Sequence, residues 1–427
     1  MIESVIFFFS GSGMVMLFIL FMRINVVGSK SKLVKHRSKE PGFVDLLIYA
    51  SVVDDGVIVG KDGSLMAAWA YQGVDSNSST EAERDQVSLQ INHALSRMGS
   101  GWMIHIDAVR KPAPGYSTKD DSHFPDPVSA AIDEERREFF ERVGTLYESN
   151  YVITATYLPP LLAQQKFVEL MFDDEGVPVD SKTRTIALLN HFKRECANIE
   201  SHLSSVFRMK RLKGKIITKE DNSSVNYDAF LRWIQFCISG LDHPVILPKN
   251  PIYLDALLSG QEFWGGVVPK IGQNFIQVVS IEGFPLASSP GLINSLADLP
   301  CLYRWSTRFI FMDTHEAVGH LEKFSKKWKQ KIRSFFDQVF NSHSSNVDQN
   351  AINMVSDAQA AIAETNSGEV AQGYYTSVVV LMSESRGDLE ASARQVAKAI
   401  NHLGFAARIE TINTIDAYLG SLPGHGV

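Results

Sequence analysis

The sequence has 427 residues, of which 45% are hydrophobic and 21% are charged, and its formal net charge is −7 at pH 7. This length allows two or more domains with sizeable cores, and the acidic balance argues against a general attraction to nucleic acid or anionic lipid. The three scattered cysteines, Cys196, Cys237 and Cys301, argue against a disulfide scaffold and predict core thiols in a reducing compartment.

The first apolar segment, Ser4–Met22, contains no charged residue. Its length matches the roughly 20 residues that cross a bilayer, and basic residues follow it from Arg23 to Lys39. The positive-inside rule therefore predicts a transmembrane anchor with the bulk of the chain in the cytoplasm. A secretory signal would need a basic leader and a small-residue cleavage site, which the sequence lacks. The polar break Ser10–Gly13 leaves a membrane-surface helix as an alternative.

A β-hairpin is predicted next, because the apolar runs Val57–Val59 and Leu65–Tyr71 flank an Asp-Gly pair. A type I′ turn at this pair would require a positive φ at Gly63. Strand alternation places large side chains such as Trp69 on one face and small ones such as Ala68 on the other. We expect the next helix to pack closely on the small face.

The following elements alternate between helix and strand. In order, they are a helix with a capping box at Thr80 and Glu83, a strand at Trp102–Val109, a charged helix with an apolar stripe through Ile132, Phe139, Val143 and Leu146, and a strand at Tyr151–Tyr157. The order β-β-α-β-α-β predicts an antiparallel-rich α/β sandwich rather than a doubly wound nucleotide fold.

The section from Leu161 to Ile246 has mostly helical periodicity and contains a basic run, Phe207–Lys219. Nucleic-acid binding would favour basic residues interleaved with stacking aromatic side chains, and this run has only Phe207. We interpret it as a solvated basic surface or a subunit contact. The prolines between His243 and Pro251 predict a domain boundary.

A second α/β set follows that boundary. Its predicted elements are strands at Phe275–Ile281 and Arg304–Met312, helices at Glu316–Phe340 and Val347–Glu364, and a β-α-β unit at Tyr374–Met382, Leu389–Leu403 and Phe405–Thr411. The predicted fold class is α/β (α+β), with an N-terminal transmembrane helix followed by two antiparallel-rich, ferredoxin-like α/β blocks with helical insertions. The predicted domains are residues 1–40, 41–250 and 251–427.

Several segments carry a resemblance to a known family. They read GFVDLLIYA, VVDDGVIVGKDGSLMAAWAYQGVD, GSGWMIHIDAVRKPAPGY, YLPPLLAQQKFVELMFDD (Tyr157–Asp174) and GFAARIETINTIDAYLGSLPGHG (Gly404–Gly426). Together they resemble the amino-terminal region of the TrbE-like conjugal transfer ATPases of the CagE/TrbE/VirB family of type IV secretion components.

The resemblance implies a cytoplasmic scaffold at the bacterial inner membrane, which docks on membrane partners and other type IV secretion subunits and forms a homo-oligomer. It implies ATP and magnesium as cofactors of the full-length family, bound by a carboxy-terminal domain. Two interpretations stay open, a fragment of such an ATPase and a stand-alone structural partner of a separate motor.

No stretch of the sequence fits the phosphate-binding pattern G-x-x-x-x-G-K-[ST]. Asp313 ends an apolar strand, but without that loop we interpret it as a surface residue after a core strand. His315, Glu316 and His320 come near a zinc motif, although the histidines are five positions apart and would diverge on a helix. We prefer helix capping by Thr314 there.

An enzyme with an unrecognised acidic site is the competing class. Its only candidate is Asp173-Asp174-Glu175 with nearby Asp180, which is otherwise an ordinary acidic loop. The sequence therefore assigns no catalytic, cofactor-binding or metal-binding residue, and we expect no ATPase activity and no direct nucleic-acid binding from this chain by itself.

Overall fold

The computed structural model describes residues 42–73, 78–159, 179–218, 224–248, 252–285, 288–339, 349–368 and 370–426. The chain divides into two compact units, Met1–Leu46 and Leu47–Val427. The described part of the first unit contains one short helix, α1 (Phe43–Leu46).

The second unit begins with a strand-rich half. Its elements are β1 (Tyr49–Asp54), β2 (Val57–Gly60), β3 (Leu65–Gln72), α2 (Glu81–Leu95), β4 (Trp102–Pro112), α3 (Pro127–Val143), β5 (Tyr147–Tyr157), α4 (Val179–Leu203), β6 (Arg208–Arg211), β7 (Gly214–Thr218), β8 (Ser224–Asp228) and α5 (Ala229–Ser239).

The remaining half mixes short strands with longer elements. These are β9 (Ile246–Leu247), α6 (Leu254–Leu258), β10 (Phe263–Trp264), β11 (Lys270–Ile271), β12 (Asn274–Gly283), β13 (Tyr303–Phe311), α7 (Thr314–Val339), α8 (Gln349–Ser367), β14 (Gly373–Ser383), α9 (Arg386–His402), β15 (Ala406–Ile409) and α10 (Thr414–Gly420).

One antiparallel sheet joins both halves. Its strand order is β1-β2-β3-β5-β4-β13-β14-β12-β11-β10, with β6 also paired to β3 and β15 to β12. The join is the pairing of β4 with β13, which runs from Tyr303↔Arg110 to Ile310↔Met103. A smaller sheet contains β7, β8 and β9 in that order.

This continuous sheet corrects the predicted fold class. The prediction of two separate ferredoxin-like blocks is wrong, because β4 and β13 are long strands whose edges pair with each other rather than remain open. The predicted transmembrane helix at Ser4–Met22 lies outside the described residues. Within the described ranges, no helix is both long and apolar enough to cross a bilayer. The predicted domain boundaries stay predictions.

The two hairpins at the start of the sheet differ in their turns. In the first, Asp54 pairs with Val57, so Asp55-Gly56 forms a two-residue loop. This loop was not predicted from the sequence. In the second, Gly63 N–H donates to the Gly60 carbonyl (3.0 Å). The positive φ predicted at Gly63 is confirmed at 81°. The predicted type I′ turn is wrong, because three residues separate Gly60 from Ser64, as in a type I turn followed by a left-handed residue.

Helices α2, α4 and α9 lie on one face of the sheet. Side chains of α2 and α4 surround Trp69, and the apolar stripe of α9 packs on β12 and β14 around Val279. The next helix was predicted to pack on the small face of β3. That prediction is wrong, because α2 packs on the face that carries Trp69. The capping box predicted at Thr80 and Glu83 is confirmed.

The predicted helical character of Leu161–Ile246 holds only in part. Helices α4 and α5 confirm it, but the chain between them forms β6, β7 and β8. The alternating Val225 and Tyr227 fit a strand better than a helix, and β6 pairs with β3 in the large sheet. The smaller sheet of β7, β8 and β9 is attached to the turn of the first hairpin, where Gly214 N–H donates to Asp55 Oδ1 (2.8 Å).

We predict that Gly56→Ala lowers the free energy of unfolding by about 2 to 4 kcal/mol, because φ at Gly56 is +69° and a Cβ there would lie 2.6 Å from the Leu212 carbonyl oxygen. The matched control is Gly368→Ala after α8, where φ is +75° but no heavy atom lies within 4 Å of the added Cβ. The control should cost about 1 kcal/mol. Urea denaturation of both variants measures the difference, and equal losses would contradict the close approach at Gly56.

Candidate functional site: a buried carboxy-terminal clamp

The acidic cluster considered in the sequence is not among the well-described parts of the chain. Asp173–Glu175 lie outside the described residues, and only the backbone of Asp180 is described, near the start of α4. In the ranges that the structure describes, no group of three or more His, Cys, Asp or Glu side chains is placed to hold a metal ion. The cluster therefore stays a prediction.

The residues near the start of α7 make structural contacts. Asp313 accepts a hydrogen bond from Ser100 N–H (3.1 Å), and its carbonyl accepts one from Ala317 N–H (2.9 Å). Asp313 thus occupies the cap position that was predicted for Thr314. His320 Nε2 lies 3.9 Å from Glu316 Oε1 on the exposed side of the helix. This arrangement is an ordinary pairing four residues apart on a helix.

The basic run predicted as a solvated surface lies on β6 and β7. Arg208, Lys210, Lys213 and Lys215 are exposed, in agreement with that interpretation. Arg211 is the exception, because its guanidinium lies 4.4 Å from the centre of the Trp69 ring and donates to the Gly56 carbonyl. The prediction that the three cysteines are core residues is confirmed, since all are buried free thiols.

A buried ion pair lies where β4 meets β13. Arg304 Nη1 donates to Asp107 Oδ1 at 2.9 Å, and the two side chains are 5% and 0% exposed. Asp107 pairs with Ser306 across the strands, so Arg304 reaches it diagonally on the same face. This face is opposite to the one that carries α2, α4 and α9.

The carboxyl end of α10 sits on this ion pair. Arg304 donates to the Ser421 carbonyl (2.7 Å) and to Ser421 Oγ (2.7 Å), and Ser306 Oγ donates to the same carbonyl (3.2 Å). The last carbonyls of a helix have no partner within the helix and carry partial negative charge. A buried guanidinium therefore satisfies both the carboxylate and the helix end.

Two further side chains of the same strands extend the contact. His105 Nε2 lies 3.3 Å from the Gly420 carbonyl, and Arg308 donates to the Gly420 and His425 carbonyls (3.4 and 3.3 Å). We call His105, Asp107, Arg304, Ser306 and Arg308 the carboxy-terminal clamp. The clamp binds Gly420, Ser421 and His425, and we call residues 418–425 the held segment.

The held segment has additional attachments outside the clamp. Tyr418 O–H donates to the Ile238 carbonyl of α5 (2.6 Å), and Tyr49 O–H donates to the Pro423 carbonyl (2.8 Å). Gly424 has a φ of +82° and lies so close to Met66 of β3 that a Cβ would collide with the methionine sulfur. The segment is therefore fixed to β1, β3, β4, β13 and α5 together.

Burial sets the protonation of the clamp. It lowers the pKa of His105 to about 3, so this imidazole is neutral at physiological pH. Burial also raises the pKa of Asp107, while the Arg304 guanidinium opposes that effect. Of the two His105 ring nitrogens, Nδ1 has no hydrogen-bond partner among the described residues. Protonating it would bury a charge and an unsatisfied donor.

The clamp was not predicted from the sequence, although the sequence contains a signal for it. The even positions of Arg304–Arg308 are Arg, Ser and Arg, and the odd positions of His105–Asp107 are His and Asp. Polar residues at period two inside strands predict a polar face. The strands were predicted from their apolar faces alone, although the opposite charges on these two distant strands would have suggested their pairing.

The comparisons with known proteins place this geometry in a family context. Residues 56–165 match the profile of the type IV secretion system ATPase VirB4/TrbE N-terminal domain. Residues 215–426 match the CagE, TrbE, VirB family, component of type IV transporter system. The second match ends at residue 426, directly after the held segment.

Curated relatives agree with both profiles. A conjugal transfer protein TrbE of Rhizobium radiobacter is 44% identical over 91% of this chain and 47% of its own length. The first part of a probable conjugal transfer protein TrbE of Sinorhizobium fredii is 49% identical over 29% of this chain and 84% of its own length. The second part of the same Sinorhizobium fredii protein is 43% identical over 55% of this chain and 35% of its own length. The chain thus spans about half the length of the Rhizobium radiobacter relative.

We predict that Arg304→Met destabilises the protein by about 3 to 5 kcal/mol, because it leaves the Asp107 carboxylate buried without its counter-charge. Asp107→Leu should cost a similar amount. The double variant should cost much less than the sum of the two, since it removes both charges. Urea denaturation of the three variants gives the coupling energy, and strictly additive losses would contradict the pairing.

We predict that His105 makes stability fall as the pH falls. Its folded pKa of about 3 is below the unfolded value near 6.5, so the unfolded state binds the proton first and stability is lost from about pH 6.5 downward. At pH 4.5 this loss should be about 2 to 3 kcal/mol relative to pH 7.

The measurement is urea denaturation at both pH values for the wild type and His105→Gln. Glutamine keeps a donor but does not titrate in this range, so the variant should lose less stability on acidification. Identical pH slopes in the two proteins would show that His105 titrates normally when folded.

Proposed function

We propose a scaffold function for this chain, which belongs to the CagE/TrbE/VirB family of type IV transporter components. The chain corresponds to the amino-terminal part of a TrbE/VirB4-family conjugal transfer ATPase component. We propose that this part positions an ATPase domain located in the remaining half of the longer relatives, and that it docks on other secretion subunits at the bacterial inner membrane.

The observation that carries the proposal is the path of the chain. The two regions that match family profiles meet in one sheet through β4 and β13. The held segment that closes the second region is bound by that same junction. A domain attached after this segment would therefore be mounted on the centre of the sheet. In such an arrangement, force or strain reaches the sheet through the clamp.

The sequence supports a division of labour between the two halves. ATP hydrolysis needs converging backbone donors, a lysine on the terminal phosphates and a carboxylate for Mg²⁺, which act as one unit. The sequence has no G-x-x-x-x-G-K-[ST] stretch, and Asp313 caps α7. We therefore assign ATP and magnesium to the carboxy-terminal half of the family. A homo-oligomer of the scaffold would hold several ATPase domains side by side.

A stand-alone partner of a separate motor is the second candidate. The Sinorhizobium fredii relatives are named as two parts of one probable transfer protein, and this chain is similar to both. The two candidates share the scaffold but differ in whether the motor is covalently attached.

We predict that the 427-residue chain gives no saturable heat when titrated with Mg-ATP at physiological salt, because its exposed lysines attract nucleotide only weakly. A chimera that continues into the carboxy-terminal half of the Rhizobium radiobacter relative should bind Mg-ATP and restore plasmid transfer to a strain lacking its own TrbE.

The control is the same chimera with its phosphate-loop lysine replaced by alanine, which should lose both properties. The double variant Asp107→Leu/Arg304→Met in the chimera should keep ATP binding but reduce transfer, because it removes the bonds from Arg304 to Ser421 without leaving Asp107 buried and unpaired. One-to-one micromolar ATP binding by this chain alone would contradict the assignment of the ATPase chemistry to the other half.

A further inference from the structure

Helix α3 lies at the end of the long β4–β5 hairpin. The pairing of these strands extends to Pro112↔Tyr147, and α3 is part of the connection between them. Tyr116 O–H donates to Asp133 Oδ1 (2.7 Å), and Arg137 donates to Asp133 Oδ2 (2.6 Å). The helix is thus attached to its own connection through a polar face that contains the buried Asp133.

The apolar stripe of α3 faces away from that attachment. Val128, Ile132, Phe139 and Val143 are 68%, 51%, 56% and 47% exposed, respectively. At about 100° per residue these four positions lie within an arc of roughly 60°. This is the reverse of a surface helix in a globular protein, which turns its apolar stripe inward. An exposed apolar stripe of this kind marks a contact surface.

The stripe is symmetric about its own centre. Ile132 and Phe139 are each three residues outside the adjacent pair Glu135 and Arg136, and Val128 and Val143 are each seven residues outside it. In an antiparallel helix pair with a two-fold axis at this centre, residues at equal distances from the axis face each other. Ile132 then faces Phe139, and Val128 faces Val143.

The charges at the centre follow the same symmetry. Glu135 and Arg136 are both exposed, and the two-fold axis brings Glu135 of one copy against the Arg136 of the other, twice. Arg136 is also close to Tyr116 and Asp133 within its own copy. The spacing of four, three and four residues from Val128 through Glu135 to Phe139 is that of a coiled-coil seam. A carboxylate within such a seam needs the opposite charge that the second copy supplies.

We propose that α3 binds α3 of a second copy of this chain in an antiparallel, two-fold symmetric pair. The occupant is a second copy because apolar and charged positions are both complementary to themselves under that axis. A helix of 17 residues is about 25 Å long, which makes a smaller contact than a standard interface of about 800 Å² per partner. The pair therefore forms reversibly at micromolar concentration, unless other contacts add to it.

The α3 pair gives the proposed homo-oligomer a defined surface. It rests on the proposed function only in that both concern assembly. Failure of the α3 pair leaves the mounting of an ATPase by the clamp untouched, because α3 and the clamp lie in separate parts of the fold and are tested with different variants.

The test is sedimentation velocity of the 427-residue chain from 1 to 100 µM, a range chosen to bracket the expected dissociation constant. The wild type should dimerise. Glu135→Arg and Arg136→Glu should each raise the dissociation constant about tenfold, because symmetry turns two attractive pairs into two repulsive ones. The double variant exchanges the charges and should recover the wild-type constant. If both single variants dimerise weakly and the double variant does not recover the wild-type dissociation constant, the proposed two-fold register is overturned.

A second set of variants tests the apolar contacts. Ile132→Ser should raise the dissociation constant at least tenfold, because Ile132 faces Phe139 of the other copy. The matched control is Leu89→Ser on α2, which removes an apolar side chain that is 69% exposed outside the stripe and should leave dimerisation unchanged. Equal effects of the two variants would overturn the assignment to α3.

Cross-linking gives the geometry directly. A chain with Ile132→Cys and Phe139→Cys should form intermolecular disulfides under mild oxidation, whereas Leu89→Cys should not. The three native cysteines are buried and do not compete. A wild-type chain that stays monomeric at 100 µM, with no cross-link between positions 132 and 139, would overturn the proposal and assign the stripe to a different protein.

Discussion

The ion pair between Asp107 and Arg304 is the contact on which the arrangement of the whole sheet depends. Two charges with almost no exposure are stable only when each has its counter-charge and enough hydrogen bonds. Neither β4 nor β13 can supply these alone, because the two charges are on different strands. Arg304 also needs more acceptors than one carboxylate oxygen provides, and Ser421 of the held segment supplies them. One guanidinium thereby unites two distant strands and the end of α10.

Specificity of register follows from the same contact. A slip of one residue between β4 and β13 would move Arg304 to the opposite face of the sheet, among the apolar side chains that pack under α9. The clamp therefore contributes more to the choice of one pairing than to net stability, since buried ion pairs seldom exceed a good apolar substitute. The held segment depends on that register, because its carbonyls are bound only when Arg304 and Arg308 lie on the face of the sheet opposite to α9.

Local elements were predictable because short-range patterns determine them. The capping box at Thr80 and the apolar stripe of α9 each depend on residues within one or two turns. The join of β4 to β13 was not predictable in this way, since alternation shows that a strand has two faces but not which edge it meets. The basic strands β6 and β7 were misread for a related reason, because charge masked a weak period of two. For the clamp, the sequence held a polar face on each strand, yet only the pairing made these faces one site.

The join of β4 to β13 also determines when the fold can be completed. Strand β4 ends at Pro112, and its edge partner β13 ends at Phe311, roughly 200 residues later in the chain. At elongation rates of about 5 to 20 residues per second, the ribosome needs about 10 to 40 s to deliver that partner. During this interval the nascent chain carries an open strand edge with a buried-type aspartate, Asp107, that has no counter-charge. Asp107, which later fixes the pairing, protects this open edge against aggregation until β13 has been synthesised, because a charged side chain disfavours pairing with another chain.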